Sequence, residues 1–162
     1  MLEQDYLMRQ ILLLIDAMIA SQRKKDEELD PAAAADSLED AITTAIDLDG
    51  VALLSLAPES IADVMRVSGI DPGMVGYIAH SILLESVYLR EAGNDSLATL
   101  REGQARSLAL SYDLELPDDP TDFDALSARA HEAQAALWED GLAGNADDML
   151  DIDAIIQQER LL

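Results

Sequence analysis

Two histidines, His80 and His131, are the side chains of this 162-residue chain best suited to acid–base or metal chemistry near neutral pH. His80 lies in GYIAHSILL, a helical segment without formal charge, which predicts an interior, hydrogen-bonded side chain rather than a catalyst. His131 precedes Glu132 on a helix with a polar outer face, which predicts exposure. Tyr77 and Ala128 stand three positions earlier, so neither histidine belongs to the Glu-x-x-His pair of a di-iron bundle.

A second group that could bind an ion is the run of carboxylates in DDMLDID, residues 147–153. Asp147, Asp148 and Asp151 are three or four positions apart, so they can share one helix face and hold Mg²⁺ through water. A structural reading fits the same residues: Asp147 and Asp148 stand in a first helical turn, where the helix dipole favours acids, and Asp151 faces solvent. We expect the structural reading to hold.

Motifs for other chemistry are missing or incomplete. DLDG at 47–50 is similar to a calcium loop, but setting Gly50 at the required glycine puts Ala45 and Leu56 at ligand positions. The chain has no cysteine, which excludes disulfides, thiolate metal sites and a cysteine nucleophile. No glycine-rich phosphate loop or Gly-x-Ser-x-Gly elbow occurs. The sequence predicts no catalytic, cofactor-binding or metal-binding residue, no cofactor, and a protein that is not an enzyme.

The charge of the chain restricts its partners. There are 33 acidic and 10 basic residues, a net charge of -23, and most of the excess follows residue 29. Such a field repels nucleic-acid backbones and anionic lipids, so we expect neither nucleic acid nor membrane as a partner. We expect the excess to keep the protein soluble or to adapt it to a salty medium; the alternative is a surface that binds basic partners or divalent cations. The acidic start MLEQDYLMRQ and the interruption of the next apolar run by Asp16 favour a cytoplasmic protein.

The elements that position these residues are predicted to be helices. About half of the residues are apolar, only 4% are aromatic, and alanine and leucine are abundant, which favours helices packed through small side chains. Proline after an aspartate starts helices at Pro31 and Pro72, and Asn94 caps another. We predict one all-α domain over residues 1–162, a helical bundle or short α-solenoid of seven to eight helices. The predicted helices cover about 3–28, 31–48, 58–68, 72–92, 95–115, 122–143 and 146–161, with a short apolar piece at 51–56 and a loop at 116–124.

Apolar spacing predicts which side of each helix is buried. The first helix is apolar most of the way round, so it forms either the centre of the domain or a dimer interface. The helix from Pro72 carries few charges before its end, which predicts a second buried helix. Gly73 and Gly76 permit a close approach of another backbone near the start of the helix from Pro72. The predicted inward residues are Leu7, Ile11, Leu14, Ile15, Met18, Leu38, Ala41, Ile42, Ala45, Ile61, Val64, Met65, Leu97, Leu100, Leu108, Leu126, Ala130, Ala133, Leu137, Met149, Ile152, Ile155 and Ile156.

A helical hairpin turns at Gly93-Asn94, and a second short turn at Gly144-Asn145 follows 51 positions later, which indicates a repeat. Residues 81–117 resemble a tetratricopeptide repeat, whose two antiparallel helices pack through large and small residues. The positions that match are Leu84, Tyr88, Ala98 and Ala105; those that depart are Ser81, Glu85 and Glu102, and the closing proline is missing. The resemblance implies tetratricopeptide-like hairpins in the C-terminal half and a surface that binds a protein partner.

A second resemblance lies in EQDYLMRQI, residues 3–11. It is similar to the opening of an uncharacterised bacterial family of small helical proteins, which begin with a Gln-Asp-Tyr-(Leu or Ile)-Met-Arg segment. The resemblance implies a bacterial cytoplasmic domain and brings no activity, cofactor or site residue.

Three functional hypotheses follow. The first is a non-enzymatic helical interaction module that binds a protein partner, which could be basic, or itself. The second is an enzyme or small-molecule-binding domain with a pocket between helices near Tyr77, His80 and Tyr88. The third is a homodimer formed through the first helix, with Leu14 and Met18 in the interface.

Overall fold

The computed structural model of the chain describes residues 2–46 and 50–137. These ranges contain seven helices and no strand, which confirms the predicted all-α class and a bundle of about seven helices. The helices are α1 (Leu2–Glu28), α2 (Pro31–Ile46), α3 (Gly50–Leu54), α4 (Pro58–Val67), α5 (Pro72–Glu91), α6 (Asp95–Ser111) and α7 (Phe123–Leu137).

The central element is α5, which packs against α6, α2 and α1. Fifteen of its twenty residues are buried, so it is apolar around nearly its whole circumference. The sequence predicted burial for both α5 and α1, and α1 packs against α2, α5 and α7. The four longest helices of the described chain thus enclose one hydrophobic core, to which α1 contributes Ile11, Leu14, Ile15 and Met18.

The position of Leu14 and Met18 changes how a dimer through α1 would have to form. Both side chains are at most 1% exposed within a single chain, so neither is accessible to a partner. Among the α1 side chains that the structure describes, the exposed large apolar ones are Tyr6 and Leu13, at 58% and 61%. A homodimer through α1 stays a prediction, and Tyr6 and Leu13 are the residues that would form it.

The turn between α5 and α6 follows the predicted cap residues. Gly93 has a φ of +86°, and the Asn94 amide donates to the Leu89 carbonyl at 2.8 Å, which closes α5 in a Schellman motif. The Asn94 side chain accepts from the Leu97 amide and caps α6. At the other end of α5, Asp71 accepts from the Gly73 amide at 2.8 Å, as the Asp-Pro pattern predicts.

The end of α6 was predicted too late in the chain. The helix ends at Ser111 rather than near Glu115, because Asp113 adopts a left-handed φ of +54°. The Leu114 amide then donates to the Ala109 carbonyl at 2.8 Å, the bond of a Schellman motif. Aspartate reaches this conformation more readily than most residues, but no glycine marks the position in the sequence.

One packing prediction was wrong in detail, and the start of α5 has neighbours of a different kind from those its glycines permit. Val64 was predicted to face inward with Ile61 and Met65, but 37% of it is exposed, while the other two are buried. The start of α5 is approached by side chains rather than by a backbone. A Cβ atom on Gly73 would lie 3.3 Å from Leu7, and one on Gly76 would lie 3.3 Å from an Arg129 nitrogen.

Several sequence predictions lie outside the described residues. They are the first three residues of the DLDG segment, the carboxylates at 147–153, the turn at Gly144-Asn145, the last predicted helix and the inward positions predicted on it. The side chains of Ala133 and Leu137 also lie outside what the structure describes. Within residues 2–46 and 50–137, no helix is long and apolar enough to cross a membrane.

Candidate functional site

A buried group of polar side chains joins α2, α5 and α6, and we call it the Arg101 cluster: Glu39, Glu85, Arg101 and Gln104. Arg101 Nε donates to Glu85 Oε2 at 2.8 Å, and Nη2 donates to Glu39. Nη1 donates to the Leu54 carbonyl at 2.6 Å and to Gln104 Oε1 at 3.1 Å. Each guanidinium nitrogen therefore has a partner, as a buried cation requires.

Gln104 extends the cluster to the end of α3. Its amide nitrogen donates to the carbonyls of Leu54 and Leu56, both at 2.8 Å. Carbonyls in the last turn of a helix lack partners within that helix, so these bonds satisfy groups that would otherwise be buried and unpaired. The Arg101 cluster fastens α2 and α3 to the hairpin of α5 and α6, which is a structural task.

Tyr88 makes a second polar contact between helices. Its hydroxyl lies 3.0 Å from the Ser21 hydroxyl and donates to Gln22 Oε1 at 3.0 Å, both on α1. Burial, the largest cause, raises the pKa of Tyr88, so the phenol stays protonated and can donate. This contact ties the C-terminal half of α5 to α1.

His80 contacts the loop that follows α6. It is 1% exposed, and its Nε2 donates to the Pro120 carbonyl at 2.8 Å, which confirms the predicted interior, hydrogen-bonded histidine. A carbonyl only accepts, so the Nε2 atom carries the proton. Burial is the largest cause that lowers the pKa of His80, which keeps the imidazole neutral. His80 thereby holds the loop against α5.

Arg129 of α7 fixes the same loop from its other side. One terminal nitrogen donates to the Gly76 carbonyl at 3.2 Å, and the other donates to the Glu115 carbonyl at 2.8 Å. The guanidinium also lies over the Tyr77 ring, 5.9 Å from its centroid. Arg129 approaches Gly76 so closely that the position favours glycine. The loop is therefore bound to both α5 and α7.

The loop held in this way is strongly acidic, and we call residues 112–122 the acidic loop. It contains five acids and no basic residue, and all five are exposed: Asp113, Glu115, Asp118, Asp119 and Asp122. Asp119 accepts hydrogen bonds from the Thr121 hydroxyl and amide at 2.6 and 2.9 Å. These hydrogen bonds lower the pKa of Asp119 and keep it ionised, and the bond from the Thr121 hydroxyl has the largest effect.

Exposed apolar residues border the start of the acidic loop. Arg66 of α4 donates to the Ser111 carbonyl at 3.3 Å and lies over the Tyr112 ring, 5.2 Å from its centroid. Val67, next to Arg66 in the chain, and Leu110, next to Ser111, are each 85% exposed. This region therefore presents apolar surface where α4, α6 and the acidic loop meet.

The three residues of the predicted pocket have different partners. His80 contacts the acidic loop, Tyr88 contacts α1, and the buried Tyr77 hydroxyl has no hydrogen-bond partner in the described part of the chain. The hypothesis of an enzyme or ligand-binding pocket at these residues stays a prediction. His131 is exposed, as predicted.

The Arg101 cluster was not predicted, although the sequence holds a signal for it. Glu85 is an acid in the middle of a helix predicted to be buried, and Arg101 stands on the facing helix of the same hairpin. An acid predicted to be interior requires a partner, so the facing base was the residue to look for. The four matched positions of the tetratricopeptide resemblance, among them Leu84 and Ala98, are all fully buried, and descent from that repeat stays a prediction.

Comparison with known proteins gives no relative from which a role could be transferred. No protein-family model, no curated protein and no solved structure matches the chain significantly. The resemblance of residues 3–11 to a bacterial family stays a prediction.

Proposed function

We propose that this protein is a non-enzymatic helical interaction module that binds a basic segment of a protein partner at the acidic loop. The observation that carries the proposal is a loop of five exposed acids whose backbone is held at Glu115 and Pro120 and whose start adjoins exposed Leu110 and the Arg66 contact, with exposed Val67 next to Arg66. A segment that places lysine or arginine next to apolar side chains is complementary to such a surface.

The internal contacts of the loop support this role. His80 holds the Pro120 carbonyl, and Arg129 holds the Glu115 carbonyl, so the backbone is fixed before a partner arrives. A surface that is already ordered loses less conformational entropy on binding than a flexible one. The acids therefore act as a preorganised group rather than as a diffuse charge.

The distribution of basic residues also supports a partner that supplies positive charge. Most of the described basic side chains already have partners within the chain, as for Arg90 with Glu102, Arg101 with Glu85, and Lys25 with Glu91. Ten basic residues cannot balance 33 acids. A field of this sign attracts a basic segment and accelerates its association at low salt.

Nuclear magnetic resonance can map the proposed surface. The ¹⁵N-labelled protein would be titrated with a ten-residue peptide that alternates lysine pairs with leucine, and with a matched peptide carrying glutamate for lysine. We expect the lysine peptide to shift the amides of residues 110–122 and Val67, and the glutamate peptide to shift none. Equal shifts at the acids of α2, or no shift in the acidic loop, would contradict the proposal.

A further inference from the structure

The Arg101 cluster contains two carboxyl groups and one cation. Glu85 is 1% exposed and the Arg101 side chain is 6% exposed, while the Glu39 side chain is 35% exposed. The guanidinium binds both carboxyl groups, Glu85 through Nε and Glu39 through the neighbouring Nη2, so the two acids lie side by side on one cation. With both acids ionised, the cluster would hold a net charge of about -1 in an interior that solvates charge poorly.

In the part of the chain that the structure describes, the contacts around Glu85 show no cation besides Arg101. The group faces Glu39 from α2, Arg101 and the neutral Gln104 from α6, and the Leu54 carbonyl region of α3. From α1, Ser21 and Gln22 contact Tyr88, and Lys25 pairs with Glu91, both nearer the C-terminal end of α5. Two carboxyl groups that bind adjacent nitrogens of one buried guanidinium favour a shared proton, because two negative charges held side by side destabilise each other.

We infer that Glu39 and Glu85 hold one proton between them in the folded protein at neutral pH, and that loss of this proton weakens the attachment of α2 to α5 and α6. The proton lies on Glu85, whose hydroxyl donates to the Glu39 carboxylate, and Glu39 then pairs with Arg101. The cluster is neutral in this state. Deprotonation releases the proton through the half-exposed Glu39 and leaves two carboxylates facing one guanidinium.

The pKa of Glu85 supports this assignment. Burial has the largest effect on it, and the negative charge of Glu39 acts in the same direction. Together they outweigh the opposing effect of Arg101 and raise the pKa of Glu85 to about 8. An unfolded glutamate has a pKa of about 4.5. Between these values the folded chain binds more protons than the unfolded chain, so stability falls as the pH rises through this window. Above the folded pKa the contribution of this group is constant.

The direct test is a carboxyl titration of the wild-type protein by ¹³C resonance, with assignment from Glu85→Gln and Glu39→Gln variants. We expect one carboxyl of the pair to titrate near pH 8 and to lose that transition in Glu85→Gln. Titration of both groups below pH 6 would overturn the inference. A glutamate carboxyl resonance that titrates near pH 8 is visible in the wild-type protein before assignment, so its presence or absence decides the question even if a variant fails to fold.

Urea unfolding gives an independent readout. The quantity to compare is the equilibrium constant of unfolding of the wild-type protein divided by that of Glu85→Gln. We expect this ratio to rise by up to about tenfold per pH unit from pH 6 to 8 and then to level off. The matched control is Glu102→Gln, because Glu102 pairs with Arg90 and Arg106 at the surface. The hydrogen bond from Arg106, and to a smaller extent that from Arg90, lowers the pKa of Glu102. The control should follow the wild-type pH dependence above pH 6. A ratio of wild type to Glu85→Gln that does not change with pH would overturn the inference.

Discussion

At the scale of single residues, the polar side chains of the interior serve to join helices. Tyr88 and Tyr77 lie on the same helix and are both buried. They differ in the hydrogen bonding of their hydroxyl groups, and this difference affects the free energy of unfolding. The Tyr88 hydroxyl has partners on α1, whereas the Tyr77 hydroxyl has none in the described part of the chain. A buried hydrogen bond stabilises a protein modestly, while an unpaired buried hydroxyl does not.

We therefore predict opposite outcomes for the same chemical change at the two positions. Tyr88→Phe should lower the free energy of unfolding by about 1 kcal/mol, because Gln22 and Ser21 lose a partner. Tyr77→Phe should leave it unchanged or raise it slightly. Urea unfolding monitored by circular dichroism measures both, and each variant serves as the control of the other. Equal losses at both positions would show that the Tyr77 hydroxyl has a partner of its own.

Sequence alone predicted the environment of such residues better than their partners. The uncharged surroundings of His80 predicted an interior side chain, since a helix without charges is buried. The Pro120 carbonyl, forty positions later, could not be deduced, because helical periodicity carries no information on which loop crosses the helix. The pairing of Glu39 with Arg101, 62 positions apart, is unpredictable for the same reason.

At the scale of helices, capping residues were the most informative signal. Asp71 and Asn94 were predicted to start α5 and α6, and each accepts a bond from a backbone amide of the first turn. Local chemistry fixes such boundaries, so they can be recognised without the fold. The end of α6 at Asp113 was missed because aspartate adopts a left-handed φ only in certain contexts.

The hairpin turn at Gly93 gives a prediction at this scale. Its φ is +86°, and a Cβ atom there would meet nothing within 4 Å, so a side chain would strain the backbone without a clash. Gly93→Ala should lower the free energy of unfolding by about 1 kcal/mol, and Gly93→Asn by less, because asparagine tolerates the left-handed region. Thermal unfolding compares the two variants. An asparagine variant less stable than the alanine variant would contradict this account of the turn.

At the scale of the whole molecule, the proposed binding surface depends on the net negative charge and on the attachment of the acidic loop to α5 and α7. The net charge of -23 was evident from composition, but composition does not show where the acids are held rigidly. LPDDPTDFD was predicted as a loop because prolines and aspartates disfavour regular structure. Its attachment through His80 and Arg129 required the structure, since both contacts join residues distant in the chain. The exposure of Val67 and Leu110 likewise required the structure, because the apolar spacing made no statement about either residue.

The central claim is that the acidic loop, rather than the net charge alone, forms the binding surface. It is tested most directly by the affinity of the lysine–leucine peptide for two variants of equal charge, measured by fluorescence anisotropy. One is Asp118→Asn with Asp119→Asn, in which an asparagine oxygen can still accept the bonds from Thr121. The other changes two exposed acids of α2, Asp36→Asn with Asp40→Asn.

Both variants reduce the negative charge by two, so a diffuse field predicts equal losses of affinity. We predict that the loop variant binds the peptide about fivefold more weakly than wild type, equivalent to about 1 kcal/mol, and that the α2 variant changes by less than about twofold. Equal weakening of the two variants, or a larger effect in α2, would contradict the assignment of the acidic loop as the binding surface.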